Sequence, residues 1–537
     1  MKDHEIKKFF EFAVENIIKF GDTDIFPYPI ENHIFYDLKN ETVELLLKIF
    51  KEFDDFVIKN SPLNESMLAP AGYTGFRWAT QIDPIWNAYL LGLVLSIADK
   101  IEESRVPKER NMVFSYRIKL NEEEKTIFDN NFGWVQFQET SISMAGKYKF
   151  VLICDLSHFY SNIYHHRLEN SLEKLNIPDK RMQKHIMDLL QRFSNIKSYG
   201  LPIGGQAARI LAELLLNRTD KLLKSKSIEF CRYVDDYHIF ANSENELYEH
   251  LLYLSKIFIE NEGLSLQKSK TRIINSEEFI SSTRYTMRGE DQEDTASKQN
   301  LFSIKLKYDP YSLTAREDYE SIKEEIAKLD ILGILSDELN KSRIHSPTMK
   351  KLIRSIKYLE SDAKNSTIGA LIENLEMLVP VFPNVMILVN DIFDELNADL
   401  QNQIITMLQN HIDEKTFIMQ VELNLAYSLR VLSHKNTDEN EALLIKLYGS
   451  TTSRLIKRDI ILILAKWGAD YWISDLKNRY HSLDLWEKRS FIMASYYLGD
   501  EGRHWREHFK DEFSPIEIAY KEWVAKKIQT KGWTFPI

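Results

Sequence analysis

The 537-residue sequence has little cysteine, no basic excess and no long apolar run. Its two cysteines, Cys154 and Cys231, exclude a disulfide framework and fit a reducing cytoplasm; both stand in strand-like runs where a small residue packs well. A net charge of −11 counts against a broad phosphate-binding surface and leaves room only for a local basic channel. The longest apolar run, Tyr89–Ala98, is too short to span a bilayer, and Lys2, Asp3, His4 and Glu5 form no signal-peptide pattern. The expectation is a cytoplasmic protein with no membrane partner. No Cys/His set has zinc spacing, the neighbours His165 and His166 do not share a helical face, and no Walker loop occurs. A hydrophobic content of 44% and a charged content of 28% are ordinary for a globular chain, and the length provides for two or three domains.

What is present centres on acids at the ends of apolar runs. Phe230-Cys231-Arg232-Tyr233-Val234-Asp235-Asp236-Tyr237-His238-Ile239-Phe240 reads as a hairpin holding two carboxylates at its tip. Upstream, Lys149–Cys154 is a buried-strand pattern ending on Asp155, followed by Leu156-Ser157-His158-Phe159-Tyr160 and a helical pattern. If the two strands are neighbours, Asp155, Asp235 and Asp236 can share a pair of Mg²⁺ or Mn²⁺ ions about 3.5–4 Å apart, as phosphoryl transfer requires. Between them, Tyr199-Gly200-Leu201-Pro202-Ile203-Gly204-Gly205-Gln206 is a glycine-rich turn feeding a strong helix former; glycines permit close approach of a nucleotide and a helix start favours an anion.

These blocks resemble motifs A (Asp155–Tyr160), B (Gly200–Arg209) and C (Tyr233–Asp236) of the reverse transcriptase palm, a resemblance covering about residues 70–285. It implies catalytic, metal-binding roles for Asp155 and Asp235, with Asp236 assisting electrostatically. Gly204 and Gly205 would line a nucleotide pocket. Tyr160 would crowd the 2′ position, since a ribose hydroxyl striking the ring would be left unsatisfied, making deoxynucleoside triphosphates the substrates. Glu262–Thr271 is similar to motif D, which would bring Lys270 to the leaving pyrophosphate. Arg77 and Arg117, in the fingers, would join Lys268, Lys270 and Arg272 in a basic channel. Where many reverse transcriptases read Pro-Gln-Gly, this chain reads Pro202-Ile203-Gly204, and an apolar side chain cannot make the glutamine's hydrogen bond. Ordinary templated copying is thereby put in doubt.

Gly21–Glu31, Gly75–Trp78, Thr80–Pro84, the motif B sequence and Lys307–Ser312 together resemble bacterial defence-associated reverse transcriptases of the abortive-infection (Abi) group. The resemblance implies an antiphage polymerase making single-stranded DNA without a supplied template, the product attached to a protein hydroxyl that primes it. Tyr28, Tyr36 and Tyr73 are candidate primers, Tyr73 in a stretch expected to be flexible. Two alternatives stay open: RNA-templated synthesis with an associated noncoding RNA, and a catalytically silent phage-sensing scaffold. No RNase H pattern appears in the tail.

The fold class expected is α+β: residues 1–300 an N-terminal helical segment plus fingers and palm with an antiparallel sheet, and 301–537 an all-α, HEAT-like domain. The polar stretch Thr286–Asn300 marks the boundary. In the tail Lys457-Arg458 recurs as Lys488-Arg489 and Gly468 as Gly499, 31 residues on, with Trp472 and Trp505 in similar places. Trp467, Trp486 and Tyr496 read as core. The Abi resemblance places this domain near the palm, as a product tunnel or a surface for homo-oligomer assembly.

Overall fold

A computed structural model describes residues 3–195, 197–288, 301, 304, 306, 315–341 and 343–537. The chain packs as two compact units: Met1–Ser66, Ala79–Met287 and Phe513–Ala519 in the first, Met67–Trp78, Arg288–Glu512 and Tyr520–Ile537 in the second.

The first unit opens with four helices, α1 (Asp3–Phe20), α2 (Ile30–Asp37), α3 (Lys39–Lys51) and α4 (Phe53–Lys59). Strands β1 (Asn64–Pro70) and β2 (Phe76–Ile82) form a two-stranded ladder whose tip belongs to the second unit. Next come α5 (Pro84–Leu95), α6 (Ala98–Ser104) and α7 (Trp134–Ala145). Asp83 caps α5 by accepting from the Ile85 amide, with Pro84 at the first helical position, so the apolar run Tyr89–Ala98 begins inside a helix that is buried throughout.

The palm sheet is built from β3 (Phe150–Asp155), β4 (Glu229–Tyr233), β5 (Asp236–Ala241) and β6 (Arg272–Asn275), in the order β4-β5-β3-β6, antiparallel throughout. Aromatic and β-branched residues make these runs strands, and Val151, Cys231 and Phe240 join Phe114, Phe137 and Phe279 in one buried cluster. The helices interleaved with the sheet are α8 (Phe159–Asn162), α9 (His165–Glu173), α10 (Lys180–Phe193), α11 (Gln206–Ser225), α12 (Glu244–Ile257) and α13 (Ser276–Arg288). Thr286–Arg288, expected to open a boundary loop, form the last turn of α13; residues 289–300 and the Lys307–Ser312 block lie outside the described residues.

The second unit is helical. Ser346–Ile356, Phe382–Ile392, Glu422–Leu432, Arg454–Trp467 and Leu485–Ala494 pack one on the next as one row, while Ser361–Glu373, Ala398–Asp413 and Asp438–Ser450 form a second row. Two parallel rows of alternate helices are the HEAT-like plan. The sequence repeat has a physical basis: Lys457 lies over the Tyr448 ring, itself edge-on to Trp472, and Lys488 lies over Tyr480, edge-on to Trp505. Gly468 closes Arg454–Trp467 in the left-handed conformation, φ +78°. Trp486 is fully buried, whereas Trp467 and Tyr496 are only partly so.

Among the described residues one segment, Leu375–Glu395, is long and apolar enough by composition to cross a membrane; Glu376, Pro380 and Asn384 keep it from being one continuous apolar run. Leu378, Val381, Phe382, Val385, Met386 and Val389 are buried in the helical stack.

Candidate active site

The register of β3 against β5 sets Asp155 directly opposite Asp236, and β4 pairs Tyr233 with Asp236. The hairpin tip is therefore Val234-Asp235, not the Asp235-Asp236 pair expected from the sequence. Asp236 is already the first residue of β5, because only two residues fit the turn. Val234 sits at φ +57°, a left-handed conformation that a β-branched side chain rarely adopts, so the turn is strained.

Two features hold that strain. The Asp235 carbonyl accepts from the Leu156 amide at 3.3 Å, joining motif C to motif A. Beneath, the Arg232 guanidinium donates to the Val234 carbonyl at 2.7 Å while bonding Glu213 and Asp220 of α11, and Arg105 bonds Glu213 from the other side. All four charges are buried. Glu213, flanked by both arginines, is held below the usual carboxylate range despite its burial; Asp220, with Arg232 as its one direct cation and the Tyr237 hydroxyl as a further donor, is pushed up by burial. Sequence reasoning missed this network. The signal was there in lone charges within apolar runs, Arg232 in its strand and Glu213 in Ile210–Leu216.

Asp155 is 6% exposed, and its Oδ2 accepts from Lys270 Nζ at 2.5 Å. Burial, then the Asp155 and Asp236 charges, push Asp235 up to about 7; burial and Asp155 push Asp236 up to about 6, with Lys270 working against the rise. Among the described residues no three His, Cys, Asp or Glu side chains converge as a ready-made metal cage. The donor chemistry nonetheless fits a divalent cation: these are hard carboxylate oxygens carrying more negative charge than Lys270 alone offsets. Lys270, itself mostly exposed, reaches the carboxylates from a short helical turn, Lys268–Lys270. That turn is anchored by the Gln267 amide on the Asp155 carbonyl.

Tyr160 follows on α8, and its carbonyl accepts from the Leu201 amide of the motif B loop. Burial raises its hydroxyl well above the ordinary tyrosine value; Tyr116, Arg209 and Asp235 are among the groups acting on it. Phe159 is core, 3% exposed. Arg209 stacks over Tyr116, pairs with Asp24 at 2.7 Å and acts on Tyr160, a cation that the sequence pattern did not single out.

The motif B glycines are explained by close packing. A Cβ on Gly204, at φ +137°, would lie 2.7 Å from Thr23 Oγ1, and one on Gly205 3.1 Å from Asn87 Oδ1. The Thr80 amide bonds the Ile203 carbonyl, Gln81 bonds Asp22, and Asn87 bonds the Asp22 carbonyl. Thus residues 22–24 and 80–87, remote in sequence, brace the motif B loop. Gly204→Ala is expected to destabilise the protein by about 1–3 kcal/mol, from positive-φ strain plus the clash, measured by urea denaturation. Thr23→Ala in the same chain should recover only the clash.

Other expected site residues fall elsewhere. Arg117 is 2% exposed, bonded to Glu102 and the Val106 carbonyl, so its guanidinium is engaged in the fold. Arg77 is an exposed residue of β2 in the second unit. Tyr73 is not in a loose stretch: its hydroxyl donates to the Met377 carbonyl and accepts from the Ile344 amide. Tyr28 and Tyr36 are 43% and 59% exposed.

Residues 87–299 match the family described as reverse transcriptase (RNA-dependent DNA polymerase). No protein of curated function matches the chain. Similar solved structures include a telomerase from Candida albicans in complex with a TWJ fragment of telomeric RNA, 11% identical over 75% of this chain and 67% of that one, TM-score 0.30. Another is an apo telomerase from Candida tropicalis, 10% identical over 76% and 73%, TM-score 0.31. Residues 87–299 carry a reverse transcriptase domain, of the RNA-directed DNA polymerase class of nucleotidyltransferases.

Proposed function

We propose that this chain is a DNA polymerase that adds deoxynucleotides by two-metal phosphoryl transfer, primed on one of its own hydroxyls and working without a supplied template, in antiphage defence. The observation that carries the catalytic part is the strand register: Asp155 opposite Asp236, with Asp235 on the adjoining strained turn. Asp155 and Asp235, with Asp236 beside them, would hold Mg²⁺ or Mn²⁺, which lowers the cost of charge on the attacking and leaving oxygens. Lys270 donates a proton or charge toward the departing pyrophosphate. Tyr160 excludes the ribose 2′-hydroxyl.

Untemplated synthesis is supported by Ile203, whose carbonyl is tied to Thr80 and whose side chain has no polar atom to offer a templated base pair. Defence, cytoplasmic location and homo-oligomer assembly rest on the resemblance of the motif blocks to the Abi group. Tyr28, Tyr36 and Tyr73 are the candidate primers; the Tyr28 hydroxyl would have to release its bond to the Ile18 carbonyl, and that of Tyr73 two hydrogen bonds.

Purified, nuclease-treated protein with Mg²⁺ and each labelled deoxynucleotide, given neither primer nor template, should yield label that migrates with the protein and is released by protease. Incorporation only after RNA is restored would overturn the untemplated reading. Tyr160→Ala should raise ribonucleotide incorporation relative to deoxynucleotide by about tenfold or more; an unchanged ratio would remove Tyr160 from sugar selection.

A further inference from the structure

A polar cavity lies in the first unit, built from elements other than the carboxylate-bearing strand ends. It encloses about 650 Å³, and its lining includes Arg167, Asn170, Glu173 and Lys174 of α9 and its end, Arg218 of α11, and Glu262. Glu262 ends the π-helical turn Phe258–Glu262 that continues α12. Arg167, Asn170 and Lys174 recur at the i, i+3, i+7 spacing of one helical face.

Three observations point to an anionic ligand. First, Arg167, Lys174 and Arg218 converge on one cavity and form no ion pair with any described residue, in a chain of net charge −11. Their contacts are long: Arg218 to Asn261 Oδ1 at 3.3 Å and Arg167 to the Glu260 carbonyl at 3.4 Å. Second, Glu262 is 3% exposed, lines the cavity and makes no side-chain hydrogen bond with any described residue. Burial raises its carboxyl above the usual range against the pull of Arg218, Arg167 and Lys174, and its oxygens are open to a hydrogen bond from a polar group entering the cavity. Third, Tyr164, one helical turn before Arg167, is 47% exposed and lies against Gly263, where a Cβ would stand 2.7 Å from its ring. Tyr164 does not line the cavity, but it is an exposed ring next to Gly263, the residue that follows Glu262, and exposed rings of this kind can stack on a base.

We propose that this cavity is a nucleotide-phosphate site separate from the catalytic carboxylates, taking the phosphate of a mononucleotide on Arg167, Lys174 and Arg218 and a polar group of the nucleoside on Glu262. Its volume is within the range of small-molecule sites and exceeds what a bare phosphate fills. The same chemistry is presented by the 5′-phosphate of a DNA strand. Glu262 leads directly into Leu264–Gln267, where Ser265 and Gln267 bond the backbone of Ser157 and Asp155, so an occupant would bear on the segment that carries Lys270.

The test is calorimetric titration of the full-length protein in EDTA, which leaves the carboxylate site without its cations, using dATP, dTMP, inorganic phosphate, and tetrathymidylate with and without a 5′-phosphate. We expect one site for dATP that Arg218→Gln and Lys174→Gln each weaken about tenfold or more and Asp235→Asn leaves unchanged. Lys174 is exposed, so its variant reads the site even if Arg218→Gln disturbs folding. Tighter binding of 5′-phosphorylated tetrathymidylate than of dTMP would support the site and assign it to a strand end. Absence of binding by every probe, loss with Asp235→Asn instead of Arg218→Gln, or equal affinity for inorganic phosphate and dATP would each overturn the proposal.

Discussion

Asp235→Asn is expected to reduce deoxynucleotide incorporation about a thousandfold or more while making the metal-free protein more stable at neutral pH. The loss follows from removing a charged oxygen ligand where several kcal/mol of transition-state stabilisation would be placed. The gain follows from linkage. Burial and the Asp155 and Asp236 charges raise Asp235 to about 7, from an ordinary value of 3.8. As pH rises from 4 to 7 the unfolded chain releases this proton while the folded chain retains it, so the folded state loses ground across that window and is most penalised above it. Asparagine carries no such penalty. Variant and parent should therefore differ little near pH 4, and by on the order of 2–4 kcal/mol in favour of the variant at pH 7.5 in EDTA. Mg²⁺ should narrow the gap by stabilising the parent alone. Urea denaturation at the two pH values, with and without Mg²⁺, reads this directly. A variant that is less stable at pH 7.5, or that keeps a tenth of the activity, would sink the assignment.

Arg232→Leu is expected to cost about 3–5 kcal/mol, because it leaves Asp220 buried without its cation and removes the donor that holds the Val234 carbonyl. Activity should fall with stability, since the strained turn carrying Asp235 loses its support. Arg232→Lys keeps the charge but not the fork that bonds two carboxylates at once, and should retain only part of the stability. Adding Asp220→Asn to Arg232→Leu should recover about 1–2 kcal/mol, because the amide is cheaper to bury than the unpaired carboxylate. Urea midpoints for the parent, the two single variants and the double variant measure that coupling. Independent, additive effects of the two substitutions would show that the network does not act as a unit.

These two sites differ in how far they could be read from residues alone. The Asp235 neighbourhood was legible because strand, turn and strand are local: aromatic and β-branched runs flank the acids, and chain order puts motif A before motif C. The α+β class and the helical tail were legible for the same reason, as periodic patterns that need no partner to be recognised. Even the weak Lys457/Lys488 recurrence reported a real contact, each lysine covering a tyrosine ring beside a tryptophan.

What chain order and pattern determined, then, was which segments form strands and helices and which acids end them, since propensity and periodicity act over a few neighbouring residues. The tertiary structure decided what those residues do once packed. It moved the turn tip to Val234-Asp235, buried Arg117 against Glu102 and tied Tyr73 to Met377 and Ile344. It also brought Thr23 and Asn87 against the motif B glycines and gathered Arg105, Glu213, Asp220 and Arg232 beneath the hairpin. An exposed and a buried arginine look alike in sequence; only the desolvation and the partners supplied by distant segments separate a cation that is free to meet a phosphate from one already held by the fold.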